Sequence, residues 1–532
     1  MHYDVVIAGG GFAGAYCAQT LGKLLGPGAE KRVALVAQRN VLVFQPMLAE
    51  VAGASLGPAA VVHPLRLLCR QVDVLQGSIH KIDWATKSIS LDGGRFTRNH
   101  TLTFDQLVLA LGSVSDFTRV PGMAAHGRPM KSVADAIRLR ATLINRLEEA
   151  NLVADPAQRD RLLTFVVVGG GYTGVETAGQ VFDLLRGSMK FYANLRDRRP
   201  RVVLVHGHAS LLAEIGPELG DHALGVLRRR GIEVRLETRV GEVTASRVGF
   251  TNDDGIDAHT VISTIGNAPH PVVLDLCRQI GLETDRGRVP TDDTMRVRGQ
   301  TRLWSAGDCA AVPWNDRGTV KTSPPTAQLA QRQGRQLGQN IARALAGRPL
   351  RPFTHRYLGQ LASIGEREAV AEVLGFRFSG FLAWWMWRTL YLAKLPGTLR
   401  KLRVMIDWTF DLVFPRDLSL VLPPPDDVLR SIHLGADEIL FEHGVPSRAY
   451  FYVRQGEVKL TAPGQPDRLL GPGAVIDQAC VDEQGRWTVG AAATAGADVV
   501  VLRGAAFELL RKDLRLVPAG KPPAIGHDAP PA

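Results

Sequence analysis

Residues 3–14, YDVVIAGGGFAG, decide the fold of this 532-residue chain. A short β-branched run ends in Gly9, Gly11 and Gly14, which satisfy G-x-G-x-x-G, and a helical pattern follows at once (AYCAQTLGKLL). The spacing has a physical logic. The first glycine permits the tight turn and the second lets the backbone approach a pyrophosphate. The third allows close helix–strand packing, and the helix N-terminus faces the phosphates. A second strand, Arg32 to Val36, completes the context the motif requires. The constellation recurs: Leu163 to Val168 precedes GGGYTG, with Gly169, Gly171 and Gly174 in register, and RVVLV (Arg201–Val205) follows the helix. Two such units in one α/β chain imply two bound dinucleotides, one held throughout the cycle and one exchanging.

Two further segments fit a dinucleotide domain split around an inserted one. FDQLVLALGS places Ala110 and Gly112 after a buried strand, and TRLWSAGDCAAVP places Asp308 after another. An acidic residue placed like Asp308 is suited to accept hydrogen bonds from the ribityl hydroxyls of FAD.

With these pieces in place, the chain resembles the two-dinucleotide-fold flavoprotein reductases, and within them the type II NADH:quinone oxidoreductase family. The residues that carry the resemblance are VVIAGGGFAG, VFQPMLAEVAGASL, LVLALGS, VVVGGGYTGVE, LWSAGDCAAVP, SPPTAQLAQRQG and LASIGEREAV. The resemblance implies a non-proton-pumping enzyme that takes a hydride from NADH or NADPH onto FAD and passes two electrons to a membrane quinone. It implies an FAD domain at 1–120 and 270–350, an NAD(P)H domain at 121–269 and a quinone-side, membrane-anchoring segment at 351–422. Glu176 matches the family's glutamate near nicotinamide and flavin, and is read here as lying in the first turn of a helix. Gln328 matches the first glutamine of the AQxAxQ quinone motif, whose second glutamine is replaced by Arg332. A homodimer on the cytoplasmic face of the inner (plasma) membrane is the assembly and location that the resemblance suggests.

Two departures bear on specificity. Dinucleotide folds place an acidic residue at the end of the second strand, where it binds the adenosine ribose. That position falls on Ala37 or Gln38 in the first fold, and Gln38 retains a hydrogen-bonding group. In the second fold it falls on His206, followed by Gly207 and His208. Loss of the carboxylate removes the repulsion against a 2′-phosphate, and protonated histidines would attract one. The sequence therefore leads to an expectation of relaxed or NADPH-leaning specificity.

The formal net charge is +11, from 63 Lys and Arg against 52 Asp and Glu, which leaves nucleic acid or an anionic membrane as partners. No zinc-finger spacing, RNP-like strand or helix-turn-helix accompanies the charge, so nucleic acid is rejected. Residues 376–414 instead carry four of the eight tryptophans (Trp384, Trp385, Trp387, Trp408) among basic residues, split at Pro396 and Gly397. They read as two amphipathic helices lying in a membrane interface, the competing reading being a buried helix pair. Removing residues 376–415 is then expected to release the protein from membranes. The five cysteines are widely spaced, with no metal-binding or disulfide pattern, so no metal is expected. That spacing also argues against a disulfide reductase on the same fold. The N-terminus enters a strand directly and does not read as a secretory signal.

Beyond the proline-rich stretch at Leu420–Asp427 the texture changes to short strands and turns. Residues 423–515 resemble the cyclic-nucleotide-binding domain family through GADEILFEHGVPSRAYFYVRQGEVKL and LGPG, with a closing helix suggested by VVVLRGAAFELL. The Gly-Glu pair of that family's phosphate cassette falls on Asp477 and Gln478, and its Arg on Gly485 with Arg486 one place away. An Asp facing a cyclic phosphate repels it, so the fold is expected without cyclic-nucleotide binding. Residues 516–532 read as a disordered tail. The alternative to a quinone reductase is a regulatory flavoprotein that uses this module as its output.

Overall fold

A computed structural model describes residues 1–532 except 95, 98, 214, 317–318, 356–358, 366, 420–428, 448, 483, 504–506 and 508–532. The proline-rich linker, most of the closing-helix segment and the C-terminal tail therefore lie outside the described residues. The chain forms two compact units. One comprises Met1–Arg119, Arg128–Arg239 and Thr260–Leu420, and the other Val120–Gly127, Val240–His259 and Val421–Ala532.

The first unit holds both dinucleotide folds. Strand His2–Ala8 lies between Val33–Ala37 and His100–Leu109, parallel to each, and Asp73–Gln76 extends the sheet beyond Val33–Ala37. Leu303–Ser305, nearly 200 residues further on, pairs parallel with His100–Leu109 and closes the split domain. Val33–Ala37 and Leu303–Ser305 are buried along their length, because both faces of a parallel sheet are covered. In the inserted fold, Thr260–Ser263, Thr164–Val168, Arg201–Val205 and Glu233–Arg235 form a second parallel series. An antiparallel trio, Gly359–Gly365, Glu368–Val373 and Phe376–Ser379, precedes helices Gly380–Lys394 and Thr398–Phe410. Residues 376–379 are thus a strand rather than the start of a helix. Their backbone pairs with Glu368–Val373, and the helical run opens only at Gly380.

The second unit is a β-roll of two four-stranded antiparallel sheets around stacked Phe441, Phe451 and Trp487. It also recruits Val120–Gly127 and Val240–His259, all but Val120 inside the 121–269 span assigned by sequence to the NAD(P)H domain. The cause is local. Strands Val240–Val243, Arg247–Phe250 and Gly255–Asp257 pair antiparallel with one another rather than joining the parallel series. Their Glu242 then accepts from His433 Nε2 at 2.8 Å, while Asp498 bonds His433 Nδ1 at 2.7 Å. Partial burial alone would lower the His433 pKa, but the two carboxylates outweigh it and raise the value.

Candidate active site

The first glycine loop is built by contact. A Cβ on Gly14 would meet the Gly9 carbonyl oxygen at 1.8 Å, and Gly9, at φ +116°, leaves no room beside the Ala110 carbonyl. Gly11 differs, since nothing lies within 4 Å of the place its Cβ would take. That space opens into a cleft of about 420 Å³ lined by all three loop residues Gly9–Gly11, by Gln38, Ala110 and Gly112, and by Lys131 and Asp308. Helix Phe12–Leu25 starts here with no side-chain cap, so its first N–H groups remain available to a pyrophosphate. Burial pushes the Asp308 pKa up, opposed by Lys131 and Arg288. The donor set fits FAD, with an open cradle for the pyrophosphate, Gln38 for the ribose and Asp308 for the ribityl chain.

Sequence reasoning missed Gln333. Its side chain is buried, accepts from the Gly307 N–H at 2.8 Å and donates to Ser323 Oγ at 2.9 Å. It thereby fixes the turn that carries Asp308. The only sequence signal was a polar residue recurring on the helix Ala327–Leu345.

The second loop repeats the first. A Cβ on Gly174 would stand 1.7 Å from the Gly169 oxygen, and Gly171 again faces open space. At the strand end, His206 Nδ1 accepts from the Gly170 N–H at 3.0 Å. That nitrogen is therefore unprotonated and turned toward the loop, which corrects the expectation that a protonated His206 would welcome a phosphate. The cation at this position is one the sequence reading overlooked. The Arg239 side chain lies against Gly207, its Cγ 3.1 Å from the place a Cβ would occupy. Hydrogen bonds from Glu237 N to His208 O and from Thr238 N to His206 O fold the Arg239 segment over the strand end.

Glu176 is the fifth residue of helix Tyr172–Met189, one place past the first turn, so the helix dipole does not explain it. It is buried and accepts from the Ser363 N–H at 3.2 Å. Glu50, unassigned from sequence, is also buried and accepts from Trp408 Nε1 at 3.2 Å. Desolvation raises Glu50 to a pKa of about 7 against the pull of Arg388, and raises Glu176 to about 8, with the Glu50 charge adding to the rise. Glu50 borders a cavity of about 730 Å³ that also contains Arg388, Asp411 and Arg416. The two carboxyls therefore lie where the core meets the tryptophan-rich helices, Glu50 bonding Trp408 and Glu176 facing Trp387, and neither lines the FAD cleft.

Gln328 and Arg332 stand one turn apart on the helix whose Ala327 and Ala330 border the FAD cleft. Gln328 is half-buried. Arg332 turns the other way, donating to His355 Nδ1 at 2.9 Å and lining a separate cavity with Lys394.

The tryptophan-rich helices have two faces. Trp384, Trp387 and Trp408 are buried, whereas Phe381, Leu382, Trp385, Leu399, Leu402 and Phe410 are half or more exposed. One face of the pair is therefore core and the other is exposed and apolar. Deleting 376–415 would remove core residues along with the exposed ones, so it is not a clean test of membrane binding. Among the described residues no helix is long and apolar enough to cross a membrane.

Two dinucleotide cradles in one unit, one beside a buried acid, define a flavoprotein reductase. The comparisons with known proteins agree with that geometry. Residues 3–334 match the pyridine nucleotide-disulphide oxidoreductase family, and residues 357–417 match the NDH2 C-terminal domain. The chain is 30% identical over 432 residues to the type II NADH:quinone oxidoreductase of Mycobacterium tuberculosis, covering 79% of this chain and 90% of that one. It is 25% identical to an external alternative NAD(P)H-ubiquinone oxidoreductase of Arabidopsis thaliana, covering 78% and 90%. Its fold matches the NDH2 structure from Plasmodium falciparum with a TM-score of 0.71 at 18% identity, covering 79% of this chain and 100% of that one. This chain belongs to the type II NADH:quinone oxidoreductase family, and it is an oxidoreductase.

Proposed function

We propose that the protein oxidises a nicotinamide dinucleotide at FAD and delivers two electrons to a membrane quinone from the cytoplasmic face of the membrane. The observation that carries this reading is the pair of open glycine cradles, of which only the first adjoins the Asp308 cleft. When bound, FAD supplies the acceptance of hydride and its release as two electrons. The protein's residues position and protonate. Gly9–Gly14 and Asp308 would hold the flavin, Gly169–Gly174 would present the donor, and Gln328 would face the quinone, while Arg332 turns into the separate cavity beside His355. Glu176 and Glu50 hold protons at their carboxyl oxygens, as their raised pKa values permit near neutrality. The visible spectrum of the purified protein tests the function. Flavin bands bleached by NADH or NADPH and restored by a quinone support it. Absence of flavin would favour a purely regulatory role.

For the donor, Arg239 beside Gly207 and the missing strand-end carboxylate together favour a 2′-phosphate. Arg239→Ala is expected to lower kcat/KM for NADPH by about 10–100-fold, the loss of one charge-assisted hydrogen bond, with little change for NADH. Equal losses with both donors, in steady-state assays, would count against this assignment.

Membrane attachment is assigned to the exposed face of the helix pair. Replacing Phe381, Trp385 and Leu399 by serine removes exposed apolar area while leaving Trp384, Trp387 and Trp408 in place. The variant is expected to float away from vesicles that retain the parent, at a cost of roughly 1.5–3 kcal/mol of burial per residue. Unchanged co-sedimentation would exclude this face. In the β-roll, Asp477 accepts from the Ala479 N–H at 3.0 Å and Arg486 donates to the Gly444 carbonyl. Asp477 of the cassette and the displaced Arg486 are thus both engaged locally, which supports loss of cyclic-nucleotide binding.

A further inference from the structure

The cavity behind Arg332 has a composition that electron transfer to a neutral quinone does not require. It has a volume of about 800 Å³, and its lining includes Arg70, Arg332, Arg335 and Lys394 but no carboxylate. None of these four cations forms an ion pair among the described residues. Two of them meet neutral partners instead: Arg332 donates to His355, and Arg335 stacks on the Tyr16 ring with 5.0 Å to its centroid. A further cation, Arg400, bonds His63 on the cavity wall. Like charges gathered in a half-buried cavity repel one another unless an anion joins them.

Position identifies the anion. The cavity wall includes Lys394, Pro396 and Gly397, the turn between helices Gly380–Lys394 and Thr398–Phe410. Those helices carry the exposed Trp385, Leu399 and Leu402. If these side chains enter the acyl region, the turn lies at the level of the lipid headgroups, where basic pockets capture anionic phosphates. The neighbouring histidines register the same field: burial, Arg332 and Lys394 hold the His355 pKa down to about 4.

We propose that this cavity is a binding site for the phosphate headgroup of an anionic phospholipid, held by Arg70, Arg332, Arg335 and Lys394. The proposal rests on the reading that the helix pair lies on the membrane.

The experiment measures partitioning of the flavin-loaded enzyme onto vesicles of phosphatidylcholine alone or with roughly 30% phosphatidylglycerol. Parent protein is expected to bind both, and the anionic vesicles more tightly. Arg70→Gln/Arg335→Gln is expected to lose roughly twenty-five-fold on anionic vesicles, about fivefold per cation, while binding to phosphatidylcholine is unchanged. Arg403→Gln, on the same helix pair but outside the cavity lining, is the control for diffuse attraction. A loss with the control as large as the per-residue loss at the cavity would overturn the proposal. So would competition by inorganic phosphate without any dependence on lipid charge, which would mean a free-phosphate site. No binding to either vesicle would sink the membrane reading itself, a different outcome from loss of the anionic preference alone. Retained flavin absorbance certifies the fold, and Lys394→Gln serves as a second variant if the double substitution fails to fold.

Discussion

Substituting alanine for Gly174 is expected to give a protein that keeps its flavin but is no longer bleached by NADH or NADPH. The added Cβ would stand 1.7 Å from the Gly169 carbonyl oxygen, a backbone atom that cannot swing aside. Either the helix Tyr172–Met189 shifts or the loop opens, and in both cases the pyrophosphate cradle at Gly171 loses its shape. A displacement near 1 Å at a positioning element costs about 10²-fold in rate, which is the fall expected in kcat/KM for the donor. The flavin cleft is lined by other residues, so flavin content should stay at the parental level. Gly14→Ala supplies the converse, because its Cβ would meet the Gly9 oxygen at 1.8 Å and deform the flavin cradle. Rapid-mixing absorbance distinguishes the two. Bleaching of Gly174→Ala at the parental rate would mean that the second loop does not hold the donor.

Replacing Glu176 by glutamine is expected to slow quinone reduction by about 10²-fold, the size of a lost general acid. Glu176 and Glu50, at about 8 and 7, carry protons at neutral pH and lose them as pH rises through those values. Turnover limited by their protons should therefore decline on the alkaline side, and Glu176→Gln should remove that limb. Glu50→Gln deletes the like charge that helps raise Glu176. It should move the limb of the remaining acid to lower pH. Ferricyanide, an acceptor that takes no proton, supplies the control, since its reduction should not follow the limb. The stability sign is the same for both groups. Their folded-state values lie above the ordinary carboxylate value, so the folded state binds more protons and stability falls as pH rises through the interval. The Gln variants should thus melt higher than the parent near pH 8. A parental alkaline limb in both variants would remove these carboxyls from the proton route.

The two glycine fingerprints were legible in sequence because their chemistry is local. A residue without Cβ is demanded wherever the backbone is approached this closely: Gly9, Gly14 and Gly174 each meet a carbonyl oxygen, and Gly169, at φ +115°, meets the Thr264 hydroxyl. Asp308 was legible for a similar reason, since it stands on the turn directly after the buried strand Leu303–Ser305. Arg239 and Gln333 were not. Each reaches its role through a contact across the fold, Arg239 over Gly207 and Gln333 to the Gly307 N–H. Glu50 reads in sequence as one more acid on a short helix, and only packing against Trp408 and burial beside Glu176 turn it into a titrating group.

The sequence by itself therefore determined the two dinucleotide folds, their split order and the presence of a Trp-rich basic segment and a β-rich module. These follow from periodicity and from sterics within a few residues. Tertiary structure alone decided which face of each Trp-rich helix is core. It likewise decided that His206 turns inward while Arg239 takes the strand end, and that residues 240–259 group with the β-roll. These outcomes depend on which surfaces meet, and a one-dimensional pattern of residue types does not carry that information.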